Sequence, residues 1–227
     1  MILYSWNING LRAVMRKGFW NWVNKYKPSI LSLQEIKANP EQIKEEEREH
    51  SNYYSTWNPA TVKKGYSGVL TYSKPKPKSV KFGLPYKEFQ GEGRLIRLEF
   101  KNFYLFNVYF PNGGASEERL NYKMKFYEFF LDHTEKFRKK KPIVVCSDIN
   151  TAHKEIDIAR PSQNKNVSGF LPIEREWIDK FISYGYIDTF RMFNNEPDNY
   201  TWWSYRGGAR KRNVGWRLDY FFVSEEI

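Results

Sequence analysis

The 227 residues include 41% apolar and 18% aromatic side chains, ample for a core, and the short apolar runs and 28% charged content exclude a disordered chain. No apolar stretch approaches the roughly 18 residues needed to span a bilayer, and the polar Ser5-Trp6-Asn7 comes too early for a signal peptide; a non-membrane, intracellular (cytoplasmic, nucleoid-associated) protein is expected. A formal charge of +11 favours anionic partners such as nucleic acid, and the single Cys146, inside an apolar run, reads as a buried small residue.

Segments rich in β-branched and aromatic residues predict strands over 2–9, 30–35, 53–57, 67–73, 94–100, 104–110, 143–148, 200–205 and 216–224. After the first strand, Phe19, Trp20, Val23 and Tyr26 have helical spacing that Pro28 terminates, and Asn39-Pro40 is a helix start with proline at the first helical position. Residues 45–49 read as an exposed helical face. Strands 94–100 and 104–110 turn through Lys101-Asn102-Phe103 as a hairpin, so the strands are not all parallel. The longest helix spans 117–139, with Leu120, Met124, Tyr127 and Leu131 on one stripe. Its basic end, Lys136-Phe137-Arg138-Lys139-Lys140-Lys141, reads as solvated and suited to the helix dipole. Another helix covers 174–184, and no Pro/Gly/Ser-rich linker interrupts a single domain over 1–227. The expected fold class is α/β (α+β): a two-sheet sandwich with helices outside.

What closes each strand carries the chemistry: Ser5-Trp6-Asn7, Leu33-Gln34-Glu35, Tyr109-Phe110-Pro111-Asn112, Ser147-Asp148-Ile149-Asn150 and Arg217-Leu218-Asp219. Any one such Asp or Asn reads as a turn initiator. Converging at one edge of a sandwich, they supply hard oxygen ligands for Mg²⁺ and amide donors for a phosphate. A second signal lies between Asp198 and Asp219, where no acid occurs and Trp202, Trp203, Trp216, Tyr200 and Tyr205 alternate with Arg206, Arg210, Lys211, Arg212 and Arg217. Cations interleaved with aromatics suit a surface that neutralises phosphates and pockets a displaced sugar or base, although at least one of these tryptophans is expected in the core. The flanking Gly207-Gly208 and Gly215 mark an exposed loop.

Together these residues resemble the exonuclease III family of apurinic/apyrimidinic endonucleases, within the endonuclease/exonuclease/phosphatase superfamily. The resemblance runs from Met1 to Ile227 through Trp6-Asn7-Ile8-Asn9-Gly10-Leu11-Arg12-Ala13, Leu33-Gln34-Glu35-Ile36-Lys37, Tyr109-Phe110-Pro111-Asn112-Gly113, Ser147-Asp148-Ile149-Asn150-Thr151-Ala152-His153, Gly169-Phe170-Leu171-Pro172 and Asn213-Val214-Gly215-Trp216-Arg217-Leu218-Asp219-Tyr220-Phe221. It implies a four-layered αββα sandwich of two mixed sheets. It implies Glu35 as principal Mg²⁺ ligand (Mn²⁺ a possible substitute) with Asn7 beside it, Asp148 positioning or deprotonating the attacking water, and Asn150 helping to hold it. Asn112 and Tyr109 resemble contacts to the scissile phosphate, and Asp219 the carboxylate that orients a catalytic histidine. Trp202, Trp216 and Leu218 match an apolar pocket for the extrahelical sugar, Arg206 a side chain inserted into the duplex, and Lys37 a phosphate contact; Arg210 and Lys211 join the DNA-binding set.

Two departures accompany the resemblance. Ser147 stands where the family has Gly, a mild change at negative φ. The family's Ser-Asp-His motif, on a final strand after that of Asp219, is absent; His50 and His133 are expected to be exposed and His153 structural, so the fold is expected to lack that strand. The activity implied is that of a monomer cutting duplex DNA on the 5′ side of an abasic site in a Mg²⁺-dependent reaction, with 3′-exonuclease or 3′-phosphodiesterase activity left open. The competing reading is a catalytically silent DNA-binding fragment, or the larger piece of a split enzyme.

Overall fold

In the computed structural model, which describes residues 1–227, the chain gathers into two compact units: Met1–Tyr109 with Lys141–Asp148, and Phe110–Lys140 with Ile149–Ile227. The first unit holds β1 (Leu3–Asn7), α1 (Leu11–Met15), α2 (Phe19–Tyr26), β2 (Ile30–Gln34), α3 (Glu45–Arg48), β3 (Tyr54–Asn58), β4 (Val69–Ser73), β5 (Ser79–Phe82), β6 (Leu95–Glu99), β7 (Tyr104–Tyr109) and β8 (Ile143–Asp148). One sheet has the order β1-β2-β4-β3, with β1 parallel to β2 and β4 antiparallel to both its neighbours. In the other, β5-β6-β7 are antiparallel and β8 runs parallel to β7. Every residue of β2, β7 and β8 is buried, because both faces of these strands are covered; they read as continuous apolar runs instead of alternating ones.

The two sheets of this unit meet across a satisfied amide pair. Asn107 donates to the Leu70 carbonyl at 2.9 Å and to Thr71 Oγ1 at 3.0 Å, and accepts from Gln34 Nε2 at 2.8 Å, all without exposure to water. On the outer face of the first sheet, Leu11, Phe19 and Val23 of the two helices pack on Leu31, Leu33 and Tyr72. Helix α2 stops where Lys27 turns left-handed (φ 47°), its amide donating to the Val23 carbonyl, and Pro28 behind it has no amide to continue the helix.

The second unit holds α4 (Glu117–Arg138), α5 (Pro161–Asn164), α6 (Pro172–Ser183), β9 (Tyr186–Asp188), β10 (Trp202–Trp203), β11 (Gly215–Trp216) and β12 (Asp219–Ser224). Ser116 caps α4 by accepting from the Arg119 amide at 3.2 Å. Helix α6 lies between α4 and the antiparallel β9–β12 pair: Trp177 stacks on Tyr127 at 4.1 Å, and Phe181 on Tyr186 at 3.9 Å.

Several local expectations change. The buried stripe of α4 runs through Lys123, Phe126, Tyr127, Phe130, Leu131 and Thr134, while Leu120 and Met124 are only half-buried, because the larger rings occupy the seam toward α6. Residues 200–205 yield only the two-residue β10, and 216–224 breaks after Trp216, where Arg217 turns inward to Asp157 and Asp188 at 2.7 Å each. The short α1, β5 and β9 were too brief to carry a period. His133 is buried edge-on to Phe137, and His50 lies outside the helix, half-buried against Trp20. The basic run at the end of α4 is not wholly solvated: Arg138 reaches Glu225 and Glu226 at 2.8 Å each, and Lys141 pairs with Glu99 at 2.5 Å. No helix is long and apolar enough to cross a membrane.

Candidate active site

Register places the chemistry of the first unit at one end of its strands. Asn7 ends β1 opposite Gln34, and Tyr109 ends β7 opposite Asp148. Glu35 follows β2 with φ 53°, a left-handed conformation that costs a non-glycine residue of order 1–3 kcal/mol and turns the side chain toward Asn7. The Asn7 amide nitrogen donates to Glu35 Oε1 at 2.8 Å and to Asp148 Oδ2 at 2.7 Å, so one NH₂ group fixes both carboxylates. Asn7 Oδ1 in turn accepts from the Asn9 amide at 3.0 Å. Lys37, also left-handed, sits 2.7 Å from Glu35 Oε2 and bonds to Asn9. Asp148 is nearly enclosed, whereas the Glu35 side chain keeps 18% of its surface, enough to meet a ligand.

Tyr109 is buried, and burial pushes its phenol above the ordinary range; the charges of Glu35 and Asp148 reinforce this and Arg94 opposes it. The hydroxyl therefore keeps its proton as a donor. Arg94, which sequence reasoning missed, holds this tyrosine. It donates to the Tyr109 carbonyl at 3.0 Å and to the Tyr66 hydroxyl at 2.8 Å, pairs with Glu92, and lies 4.8 Å from the Tyr109 ring centre. A signal was available in Gly91-Glu92-Gly93-Arg94: a Cβ at Gly93 would stand 2.5 Å from the Asn58 carbonyl, so glycine lets the backbone pass there.

In the second unit, Asn150 (φ 57°) donates to the Phe110 carbonyl at 2.9 Å and accepts from Asn112 at 3.3 Å. Asn112 is exposed, with its Oδ1 bound to the Gly114 amide at 2.8 Å. The backbone of Asn150 is anchored by the fully buried Lys123, also missed from sequence, which donates to its carbonyl and to Thr151 Oγ1 at 2.8 Å each. Asp219 begins β12, its amide donating to Thr201 Oγ1 at 3.1 Å. Leu218 and Trp216 pack with Ala152, Ile158 and Phe170 in a small apolar cluster, and Trp202, 42% exposed, stands edge-on to Trp216 at 6.2 Å. Arg206, Arg210 and Lys211 are exposed on the following loop, Arg210 lying over Trp203 at 5.4 Å. Gly207 and Gly208 are exposed as expected, but Gly215 is buried in β11, where its Cα faces the Trp203 indole. Trp203 and Trp216 are both half-buried, Trp216 against the apolar cluster and Trp203 with its Nε1 donating to Asn213 at 3.0 Å. Ser147 stays at negative φ in the core, so its side chain is accommodated. His153 is structural: buried and bonded to Asp179 at 2.7 Å.

The donor set suits a hard divalent cation. Glu35, Asp148 and Asn7 offer carboxylate and amide oxygens, while no cluster of three or more His, Cys, Asp or Glu side chains builds an all-protein cage. Mg²⁺ is characteristically bound this way, through one or two carboxylates with water and substrate phosphate completing the shell.

Residues 4–227 match the model of the Endonuclease/Exonuclease/phosphatase family. The chain is 44% identical over 229 residues to an exodeoxyribonuclease of Bacillus subtilis (strain 168), covering 100% of this chain and 89% of that protein. It is 38% identical over 229 residues to a DNA repair nuclease of Danio rerio, covering 100% of this chain and 74% of that one. Among solved structures, an AP endonuclease from Archaeoglobus fulgidus is similar with a TM-score of 0.87 at 28% identity, over 100% of this chain and 88% of that one. A 3′ phosphatase from Neisseria bound to a product DNA hairpin is similar with a TM-score of 0.89 at 26% identity, over 99% and 86%. The α/β class with two mixed sheets is thus the one expected.

Proposed function

Because the chain belongs to the endonuclease/exonuclease/phosphatase family, and within it to the AP endonucleases of the exonuclease III kind, we propose that it cuts duplex DNA on the 5′ side of an abasic site in a Mg²⁺-dependent hydrolysis. It is a DNA-repair nuclease, and the proposal extends to 3′-exonuclease or 3′-phosphodiesterase activity at the same centre. The observation that carries it is the Asn7 amide bridging Glu35 and Asp148.

Glu35, with Asn7 beside it, would hold Mg²⁺ or Mn²⁺, whose charge offsets that of the phosphate. Asp148 accepts the proton of the attacking water, and Asn150 helps to hold that water. Water oxygen bonds to phosphorus as the bond from phosphorus to the 3′ oxygen breaks, leaving a 3′-hydroxyl and a 5′-phosphate. Asn112 and the Tyr109 phenol donate to the phosphoryl oxygens as their charge grows. Trp202, Trp216 and Leu218 receive the extrahelical sugar, Arg206 enters the duplex, and Lys37, Arg210 and Lys211 meet backbone phosphates. Asp219 is proposed to stand in the position of the carboxylate that orients a catalytic histidine. Within this chain the histidines are engaged elsewhere: His153 with Asp179, His50 with Asn24 and Trp20, and His133 with Phe137.

A nicking assay on a duplex containing one abasic analogue tests the reading. Incision should appear with Mg²⁺, vanish in EDTA and fall by about 10²–10⁴ in Asp148→Asn, while that variant still binds the duplex. Unchanged incision in Asp148→Asn would place the centre elsewhere. Binding without incision under any metal would leave a DNA-binding protein, the competing reading.

A further inference from the structure

In the first unit, the strand ends opposite Asn7, Tyr109 and Asp148 carry a second concentration of positive charge. Strand β4 leaves its sheet at Ser73, in register with Ile30 and Tyr54, and β5 enters the other sheet at Ser79, opposite Glu99. The connection, Lys74-Pro75-Lys76-Pro77-Lys78, therefore crosses between the sheets at the edge remote from the catalytic residues. Its ends are tied by the Lys74 amide to the Ser29 carbonyl at 2.9 Å and by the Lys78 amide to the Glu99 carbonyl at 2.7 Å. Both prolines are half-buried, and all three lysines are exposed. Proline fixes its own φ and holds the preceding residue extended, so Lys74 and Lys76 project from a backbone that is already ordered. Alternate residues of an extended chain repeat at roughly 6–7 Å.

The segment itself carries no counter-charge. No Asp or Glu occurs between Lys74 and Lys87. Exposed Lys27, whose carbonyl accepts from Lys74 Nζ at 3.4 Å, and exposed Lys101 in the β6–β7 turn extend the row. The nearby Glu99 is bonded by Lys141 and Ser79, which hold its carboxyl below the usual range with a smaller contribution from Lys78, so it offsets the Lys78 end of the row and leaves Lys74 and Lys76 uncompensated within the segment. Beside the row, Tyr54 is 49% exposed, with Lys76 Nζ 6.0 Å from its ring centre.

We propose that this edge is a second nucleic-acid contact, which takes a single strand with its phosphates along the lysine row and a base stacked on Tyr54. An exposed ring beside evenly spaced cations suits unpaired bases, whose faces are free to stack. An acidic polypeptide would use the lysines and leave the tyrosine idle. The inference rests on the DNA reading above: a second contact on a polymer already held at the catalytic edge is intramolecular and gains from effective concentration.

The test is fluorescence anisotropy of the full chain with a labelled oligothymidylate of about 20 nucleotides, titrated in EDTA at several salt concentrations. Wild type is compared with Lys74→Ala/Lys76→Ala/Lys78→Ala and with Tyr54→Ala, and incision of a short abasic duplex is measured in parallel with Mg²⁺. The triple variant should bind at least about tenfold more weakly, with a salt slope shallower by about 2, since each single-strand phosphate contributes about 0.7. Tyr54→Ala should bind several-fold more weakly with the slope intact, and neither variant should change incision. Unchanged affinity and slope in the triple variant would overturn the proposal, as would weakened binding of a labelled polyglutamate titrated in parallel with no weakening for oligothymidylate. If wild type fails to incise while oligothymidylate binding still depends on the three lysines, the proposed function fails and this contact stands.

Discussion

Lys123 donates to Glu174 at 2.6 Å with neither side chain touching water. The ammonium spends its remaining donors on the Asn150 carbonyl and Thr151 Oγ1, and the carboxylate accepts from the Gly169 and Leu171 amides and from Ser168. One buried pair thus ties the loop after β8 to the loop that precedes α6. A Cβ at Gly169 would come within 2.9 Å of the Trp216 ring, so the second loop is also a wall of the apolar cluster. Lys123→Met should cost about 3–5 kcal/mol by stranding a buried carboxylate, whereas Lys123→Met/Glu174→Leu should recover part of that loss. Equilibrium urea unfolding of both variants measures the order. The double variant should still incise slowly, because the Asn150 carbonyl has lost its donor; a double variant less stable than the single one would contradict the account.

Arg94 is expected to matter through Tyr109. Its planar fork serves the Tyr109 carbonyl, the Tyr66 hydroxyl and Glu92 at once while lying over the Tyr109 ring. Lysine keeps the charge but cannot reproduce that fork. Arg94→Lys should lower kcat roughly tenfold with a smaller change in KM, and cost about 1–3 kcal/mol of stability from the buried groups left unpaired. Steady-state kinetics on an abasic duplex separates the two effects, and wild-type kcat in this variant would remove Arg94 from any positioning role.

The sequence made the strand-end carboxylates legible because they follow apolar runs with turn chemistry behind them. Strand 143–148 is found with the bounds expected, and Asn7, Glu35 and Asp148 do come together. Lys123 was illegible for a physical reason: a lone cation in a polar stretch reads as solvated, and only the fold supplies the carboxylate and carbonyl that make its burial tolerable, whereas Arg94 had the glycines beside it as its one signal. Arg217 shows the same blindness. It was counted among surface cations, yet it is 2% exposed and bound to Asp157 and Asp188. Strands of two or three residues, such as β9 and β11, depend on pairing partners distant in sequence and carry no periodicity to read.

The buried His153 gives stability a pH dependence of definite sign. Burial lowers its pKa below 6.5, and the Asp179 hydrogen bond offsets this only in part; Lys154 lowers it further and Asp157 opposes. The unfolded chain therefore binds a proton at this residue more readily than the folded one, so the contribution is fully present above 6.5 and is lost as pH falls from there through the lowered folded value. Asp179 titrates below the ordinary carboxylate range, since the hydrogen bonds from Lys154 and His153 outweigh its burial, so it is silent in this window. Unfolding free energies at about pH 7.5 and 5.5 should fall further for wild type than for His153→Gln. Parallel pH dependences in the two proteins would exclude His153 as the source.

Asn7→Asp examines the bridge between Glu35 and Asp148 without changing its size. The native amide donates at 2.8 and 2.7 Å to the two carboxylates, so a third carboxylate there removes both hydrogen bonds and adds like charge. In EDTA the three acids repel, and one must take up a proton or move away. Lys37, already paired with Glu35, can relieve only part of this. A divalent cation reverses the balance, because three carboxylates bind it more tightly than two and a ligand that binds only the folded state stabilises it by mass action. Thermal unfolding in EDTA should therefore occur at lower temperature for Asn7→Asp than for wild type, and millimolar Mg²⁺ should raise it by more. Equal Mg²⁺-induced shifts in the two proteins would mean that the cation binds away from Asn7, and would remove Glu35 and Asn7 from the proposed metal site.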